Sequence, residues 1–237
     1  MTEDRGLVAC KEVSRITNTV ILKFSGGKDS VSCWLRLKDH FERIYPIFHY
    51  WCPGLEFVER TLEMYEKFFD QDIIRAPHPN FLNFQASGAF QYPHRIPTFD
   101  AWNFDFVSYD DVVRFIAEDY LLHDYWTAIG IKSFDSPIRQ RIIAEKGALD
   151  YKKRFLYPVC DMSHKDAFAY LETYGCPLSR DYEDFGRSFD GFQYRYIKVV
   201  KERYPEDYKR ILRWFPLIEA EFMRAKAYAS EKEESSR

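Results

Sequence analysis

The sequence predicts an α/β protein with a five-stranded, mostly parallel open sheet, helices on both faces and a helical C-terminal appendage. Two observations favour this fold. Short β-branched and aromatic runs alternate with amphipathic segments over residues 19–175, as a parallel sheet with crossover helices requires. From about residue 190 onward only helical periodicity remains. We therefore expect a domain over 1–185 and a helical region packed on it over 186–237.

The first part of the predicted sheet comes from alternating elements near the N-terminus. Residues 19–24 (TVILKF) and 44–51 (IYPIFHYW) are strand-like, and 29–41 between them have apolar residues at helical spacing. A second amphipathic helix is predicted over 54–69, followed by a third strand over 72–76. This order predicts two successive strand–helix–strand units.

The alternation resumes after residue 107. The predicted elements are, in order, a helix over 108–125, a strand over 126–131, a helix over 135–148, a strand over 154–159 and a helix over 163–175. Capping residues mark the helix starts: Ser108 with Asp111, Asp135 or Ser136, and Ser163 with Asp166. Both periodicity and capping residues therefore support the strands and helices predicted over residues 108–175.

An aromatic insertion interrupts this pattern over 77–107, where four prolines accompany many aromatic residues. We expect an inserted loop region whose aromatics are covered, since so many exposed rings are costly in water. Together with residues 187–196, which include Arg187 and Arg195, the insertion could stack a base against cations. Alternatively, these aromatics pack the C-terminal helices on the sheet or form a subunit contact in a homo-oligomer.

Composition limits the functional classes. The chain has 237 residues, 46% of them hydrophobic, and a formal net charge of −3, so no bulk positive charge draws it to nucleic acid, although a local basic patch remains open. No apolar run approaches the ~20 residues of a membrane span, and the N-terminus has no apolar signal core, so we expect a cytoplasmic protein without a membrane partner. The five cysteines include no C-x-x-C pair, which indicates neither a disulfide framework nor a zinc ribbon.

Residues 25–30 (SGGKDS) lie where the first strand ends and the first helix begins. The pair Gly26 and Gly27 lets the backbone turn sharply and leaves N–H groups open toward an anion at the positive end of the helix. Lys28 adds a charge for a phosphate, and Asp29 is of the type that holds magnesium. Two hydroxyl groups complete this predicted phosphate cradle: Ser25 and Ser30.

The loop is not a P-loop of the Walker A type. That pattern needs a glycine five residues before its Gly-Lys and a Ser or Thr just after it, and here Leu22 and Asp29 stand at those positions. A simpler interpretation is a glycine turn whose helix is capped by Asp29 or Ser30.

The motif S-G-G-x-D-S resembles the pyrophosphate loop of N-type ATP pyrophosphatases and of phosphoadenosine phosphosulfate (PAPS) reductases. Three further segments resemble the reductase family in order: CPGLEF (52–57), GIKSFDSPIR (130–139) and YPVCDMSHKDAFAYL (157–171). The first lacks the family's Asp-Thr. The second has Lys132 for an arginine and Asp135 for a glutamate. The resemblance spans roughly residues 18–185 and implies an adenine nucleotide alpha hydrolase-like fold.

The resemblance also implies the site. The nucleotide would be bound by the loop residues Ser25, Gly26, Gly27, Lys28, Asp29 and Ser30, with Gly54 and Gly130. Catalytic roles fall to Lys28, Asp29, Lys132 and Arg139, with Asp29 as metal ligand. The implied cofactors are ATP or PAPS with Mg²⁺, without an iron–sulfur cluster. For Lys132 and Arg139 the alternative is that they are ordinary surface cations, and Asp161 and Asp166 are expected to be structural.

Departures from the family decide between functions. The reductases use a cysteine in a C-terminal E-C-G-L-H stretch, and a related branch adds cluster-binding cysteine pairs; this sequence contains neither. We therefore expect an enzyme that uses ATP, releases pyrophosphate and activates an unknown acceptor, for sulfur transfer or nucleic-acid modification. Two alternatives stay open: a PAPS or APS reductase that uses Cys52 or a partner's thiol, and a non-catalytic nucleotide-binding module in a complex.

Overall fold

The computed structural model describes residues 4–235, with side chains described up to residue 227. The chain forms two compact units. The first comprises residues up to His49, Thr61–Ala76 and Val113–Ser179. The second comprises Tyr50–Arg60, Pro77–Val112 and the chain from Arg180 onward. The aromatic insertion and the C-terminal helices are therefore grouped in one unit.

A six-stranded sheet confirms the predicted fold class. Its strands are β1 (Thr19–Phe24), β2 (Arg43–Tyr50), β3 (Ile74–Pro77), β4 (Trp126–Ile129), β5 (Leu149–Asp150) and β6 (Phe155–Leu156). They lie in the order β3-β2-β1-β4-β6-β5. The central strand β1 pairs in parallel with β2 and β4, with Val20 opposite both Ile44 and Trp126. Every β1 residue except Lys23 is buried, so both faces of this strand are covered.

The five predicted strands are all present, and β5 is the addition. It is two residues long and pairs antiparallel with β6, Leu149 lying opposite Leu156. A strand this short has no alternating pattern to detect, and the sequence placed its neighbours at the end of a predicted helix. The prediction of five strands is corrected to six, with the extra strand at the sheet edge.

The described helices are α1 (Arg5–Val13), α2 (Lys28–Leu37), α3 (Glu56–Phe69), α4 (Pro79–Ala86), α5 (Ile96–Trp102), α6 (Tyr109–Asp119), α7 (Pro137–Lys146), α8 (His164–Thr173), α9 (Asp181–Phe185), α10 (Tyr194–Arg203), α11 (Pro205–Trp214) and α12 (Ala220–Ser235). Short 3-10 turns cover Pro93–Arg95 and Ser133–Asp135. The caps are as predicted: Ser163 and Asp166 form a capping box, and Ser136 accepts from the Arg139 N–H. None of the described helices is long and apolar enough to cross a membrane.

Helix α1 was not predicted, and it packs against the end of β6. Asp4 accepts from the Leu7 N–H at its start and pairs with the buried Arg36, which also donates to the Pro158 carbonyl oxygen. A Cβ on Gly6 would lie 2.1 Å from that same oxygen. Only glycine allows this approach, so α1 is held by contacts far away in sequence.

The second unit is helical where the sequence predicted an inserted loop. Residues 77–107 contain α4, α5 and a 3-10 turn, and each begins with a proline in its first turn: Pro79, Pro93 and Pro97. Proline is tolerated there because the first N–H groups of a helix have no partner within the helix. These prolines therefore start helices, whereas they were interpreted as breaks.

Long-range contacts complete this unit. The buried carboxylate of Asp207 accepts from the backbone N–H groups of Glu56 and Phe57 at 2.8 and 3.1 Å, which caps the start of α3. Within 187–196 the rings of Phe189, Phe192 and Tyr196 are buried. These three rings belong to the core of the unit, which leaves little of that stretch to stack a base.

Candidate nucleotide-binding site

The candidate site lies at the carboxyl edge of β1 and β4, where the strand order reverses. From β1 the chain continues to β2 on one side, whereas β4 lies on the other side of β1. Residues 25–30 follow β1 and residues 130–136 follow β4. Open α/β sheets bind ligands at such switch points because the loops that leave adjacent strands diverge there.

The loop after β1 turns through Gly26, whose φ of +70° is in the left-handed region. Gly27 is the N-cap residue of α2 and has no side chain to cap it. The Ser30 hydroxyl donates to the Gly27 carbonyl at 2.8 Å and accepts from the Ser25 N–H at 3.2 Å. Ser30 therefore braces the loop, and among the described residues no side chain caps α2. The start of α2 therefore presents the positive end of the helix dipole without a side-chain cap, an arrangement that favours an anion.

A network of ion pairs with alternating charges lies beside the loop. Asp29 accepts from Lys28 Nζ at 2.9 Å and from Lys132 Nζ at 2.8 Å. Lys132 also lies 3.4 Å from Asp135, which pairs with Arg139 at 2.7 Å. The loops that follow β1 and β4 are thus tied together by ion pairs.

The residues of this ion-pair network differ in exposure. The Lys132 side chain is 0% exposed, so it is enclosed by its two carboxylate partners. Arg139 is 47% exposed at the first turn of α7. Lys28 is nearly buried, with its Nζ 5.6 Å from the centre of the Phe168 ring. Lys132 is therefore placed to position the carboxylates, whereas Arg139 can meet a ligand.

Two side chains in this ion-pair network have shifted pKa values. Burial lowers the pKa of Lys28, against the opposing effect of Asp29. Burial acts to raise the pKa of Asp135, but Lys132 and Arg139 outweigh it, so the pKa of this carboxyl lies below its ordinary value. At neutral pH Asp135 is therefore ionised and can hold both cations.

Gly130 brings the backbone after β4 against the loop. A Cβ at this position would lie 3.2 Å from the Asp29 carbonyl carbon and 3.2 Å from the Ser30 nitrogen. Both atoms are backbone, so they cannot swing away as a side chain would. Gly130 is needed for this close approach and does not itself offer a binding group.

Two residues singled out in the sequence belong to the second unit. Gly54 lies in the second unit, in the turn between β2 and α3, with φ of +70°. Cys52 also belongs to that unit; it is buried, and burial raises the pKa of its thiol to about 12. At neutral pH such a thiol carries almost no thiolate, which is the nucleophilic form.

Two neighbours of the site were missed by sequence reasoning. Thr61 Cγ2 lies 3.5 Å from where a Gly26 Cβ would be, and His164 Nε2 lies 3.6 Å from Asp135 Oδ1. His164 directly follows the predicted cap Ser163, so the matched segment could have indicated it. Nothing in the local pattern around Thr61 points to the loop.

Comparisons with known proteins find similar solved structures but no similar sequence family. No family model matches the sequence, and no curated protein matches it. The solved structure of U34-tRNA thiolase NcsA from Methanococcus maripaludis, with its 4Fe–4S cluster, aligns over 90% of this chain and 79% of its own with 12% identity and a TM-score of 0.44. A similarity at this level carries no argument about ligand or reaction, so the class defined here is an α/β protein with a glycine-rich loop at its switch point.

The cofactor prediction needs a correction. The sequence predicted ATP or PAPS with Mg²⁺ and no iron–sulfur cluster, yet the similar NcsA structure contains a 4Fe–4S cluster. Within residues 4–235, no three His, Cys, Asp or Glu side chains form a metal-binding group. Asp29, the predicted magnesium ligand, has one carboxylate oxygen paired with Lys28 and the other paired with Lys132.

Proposed function

We propose that this protein is a nucleotide-binding enzyme of the N-type ATP pyrophosphatase superfamily, which uses ATP, releases pyrophosphate and activates an acceptor. The observation that carries the proposal is the braced glycine turn at the start of α2, placed at the switch point of the sheet. An uncapped helix start offers several N–H groups and a positive dipole end to a phosphate chain. The motif SGGKDS supports ATP pyrophosphatases over other phosphate-binding proteins.

In the proposed reaction the loop binds the β- and γ-phosphates, with Lys28 close to them. An acceptor oxygen attacks the α-phosphorus; the bond from that phosphorus to the bridging oxygen breaks, and its electron pair leaves with pyrophosphate. The acceptor then carries AMP. We assign Arg139 to the α-phosphate, where charge builds in the transition state. Lys132 holds Asp29 and Asp135 in place and acts as a positioning residue.

The thiol chemistry of a sulfonucleotide reductase finds no support in the described residues. All five cysteines are buried, and burial raises the pKa of each thiol, to about 12 for Cys52 and Cys160. A reductase needs an accessible thiolate to attack the sulfonate. A nucleotide-binding role needs only the loop, the helix start and the charges beside them.

Product analysis with ATP labelled in the α-phosphate tests the proposal. Purified protein is incubated with ATP as its magnesium salt, with and without added RNA, and the products are separated. We expect AMP or an AMP-labelled acceptor together with pyrophosphate. Lys28→Met should abolish this release, whereas Lys38→Met, at the other end of α2 and over the Tyr174 ring, should not. ADP with inorganic phosphate, or thioredoxin-dependent sulfite from PAPS, would contradict the proposal.

A further inference from the structure

Helix α7 buries fewer residues than the other described helices of the first unit. Of its ten residues only Ile143 is buried, and residues 137–141 are exposed without interruption. Two large apolar side chains at its start lie mostly in water: Phe134 is 70% exposed and Ile138 is 74% exposed. A helix that buries one residue has most of its surface available for a ligand or partner.

The charge around α7 is opposite in sign to that of the chain. Residues 132–154 contain seven lysines and arginines and three acids, a net charge of +4, in a chain of net charge −3. Arg141 pairs with Glu145 at 2.7 Å, yet its side chain is 79% exposed. Ion pairs this exposed contribute little to stability. Their cations can therefore exchange a carboxylate for a phosphate at a small cost in free energy.

This surface adjoins the candidate nucleotide site. Arg139 lies in the first turn of α7 and reaches Asp29 of the loop through Asp135 and Lys132. A molecule that lies along α7 would therefore end beside the position proposed for the α-phosphate. That is where an acceptor must be held for transfer.

We propose that the α7 surface, formed by Phe134, Ile138, Arg139, Arg141 and Lys146, binds a single-stranded segment of nucleic acid as the acceptor. The inference rests on the proposed function and names its substrate class. Cations that follow a phosphate backbone, next to an exposed ring on which an unpaired base can stack, are the chemistry of single-strand binding. A duplex offers no free base face to Phe134, so single strands are favoured.

The aromatic segment of the second unit does not meet these requirements. Trp102, Phe104 and Phe106 are exposed there, but residues 92–111 contain one arginine and four aspartates, without lysine. A phosphate backbone would be repelled by that charge. Of the two interpretations that the sequence left open for the insertion, its charge therefore favours packing or a subunit contact over base stacking.

Fluorescence anisotropy of labelled 20-nucleotide RNA and DNA, single-stranded and duplex, tests the proposal between 50 and 200 mM salt. Single strands should bind, with affinity that falls as salt rises. Arg141→Glu should weaken binding at least tenfold, and Phe134→Ala should weaken it about fivefold or more because a stacked ring is worth roughly 1–3 kcal/mol. Arg60→Glu is the matched control, since Arg60 is an exposed helical arginine paired with Glu56; it should change affinity less than twofold.

Nucleotide affinity separates this inference from the proposed function. Arg141→Glu should leave ATP affinity, measured without nucleic acid, unchanged. Two results would overturn the proposal for the α7 surface and leave the nucleotide site standing. In the first, the protein binds ATP but shows no detectable binding of single strands. In the second, it binds ATP, and Arg141→Glu and Arg60→Glu lose single-strand affinity equally. Nucleic-acid binding without ATP binding would overturn the acceptor role and the proposed function. If α7 bound a protein that lacks basic residues and did not bind nucleic acid, the inference would be overturned as well.

Discussion

Replacement of Lys132 by Met tests whether this buried lysine holds the site together. The substitution keeps the side-chain length and removes the charge that lies 2.8 Å from Asp29 and 3.4 Å from Asp135. Removal of one partner from a buried ion pair costs about 3–5 kcal/mol. Because Asp29 keeps Lys28 and Asp135 keeps Arg139, we expect a smaller loss, about 2–3 kcal/mol of unfolding free energy at pH 7.

The pH dependence of this loss is a second readout. The pKa of Asp135 is lowered in the folded protein, so its stabilising contribution is present above the unfolded pKa and is lost as pH falls through the folded pKa. The difference in unfolding free energy between wild type and Lys132→Met should therefore shrink below about pH 4, where carboxyls become protonated.

Urea unfolding followed by tryptophan fluorescence at pH 7 and pH 3.5 measures both effects. Lys38→Met is the control, since Lys38 lies at the end of α2 over the Tyr174 ring and away from the carboxylates; it should cost less than about 0.5 kcal/mol. ATP affinity should fall in Lys132→Met, because the buried ammonium group holds Asp29 of the loop. A loss at pH 7 no larger than that of Lys38→Met would refute the positioning role.

Three further predictions concern other contacts. Gly130→Ala should weaken ATP binding about tenfold and lower the unfolding free energy by about 1–2 kcal/mol, because the added Cβ presses on the Asp29 and Ser30 backbone; unchanged affinity in calorimetry would contradict this. Asp207→Asn should lower the unfolding free energy by about 1–2 kcal/mol because α3 loses a charged cap; an unchanged urea midpoint would argue against the cap. Cys52, with a pKa of about 12, should resist Ellman's reagent until urea unfolds the protein, and reaction within seconds in the native state would contradict its burial.

The fold class was predictable because local patterns and the sheet agree. Strand-like runs at β1 and β2 with a helical repeat between them require a crossover, and the caps at Ser136 and Ser163 fix helix starts through contacts within three residues. The loop at 25–30 was predictable for the same reason, since its glycines act on their own backbone. Its place at the switch point follows from the strand order.

Features that depend on distant contacts were not predictable. Helix α1 depends on Arg36 and on the fit of Gly6 against Pro158, more than 100 residues away. The burial of Lys132 depends on two acids, one of them in the other loop. A sequence pattern shows a lysine near a helix start, but it does not show that the ammonium group is enclosed. Exposure, which separates Arg139 from Lys132, is a property of the folded chain alone.

Calorimetric titration of ATP and of pyrophosphate into wild type, Lys28→Met and Lys38→Met measures the central claim most directly. If the loop at the start of α2 binds the phosphate chain, both ligands bind wild type, Lys28→Met weakens both about tenfold or more because a charge-assisted contact is lost, and Lys38→Met binds as wild type does. Equal affinities in all three proteins, or no binding of either ligand to wild type, would contradict the assignment of residues 25–30 as a phosphate-binding loop.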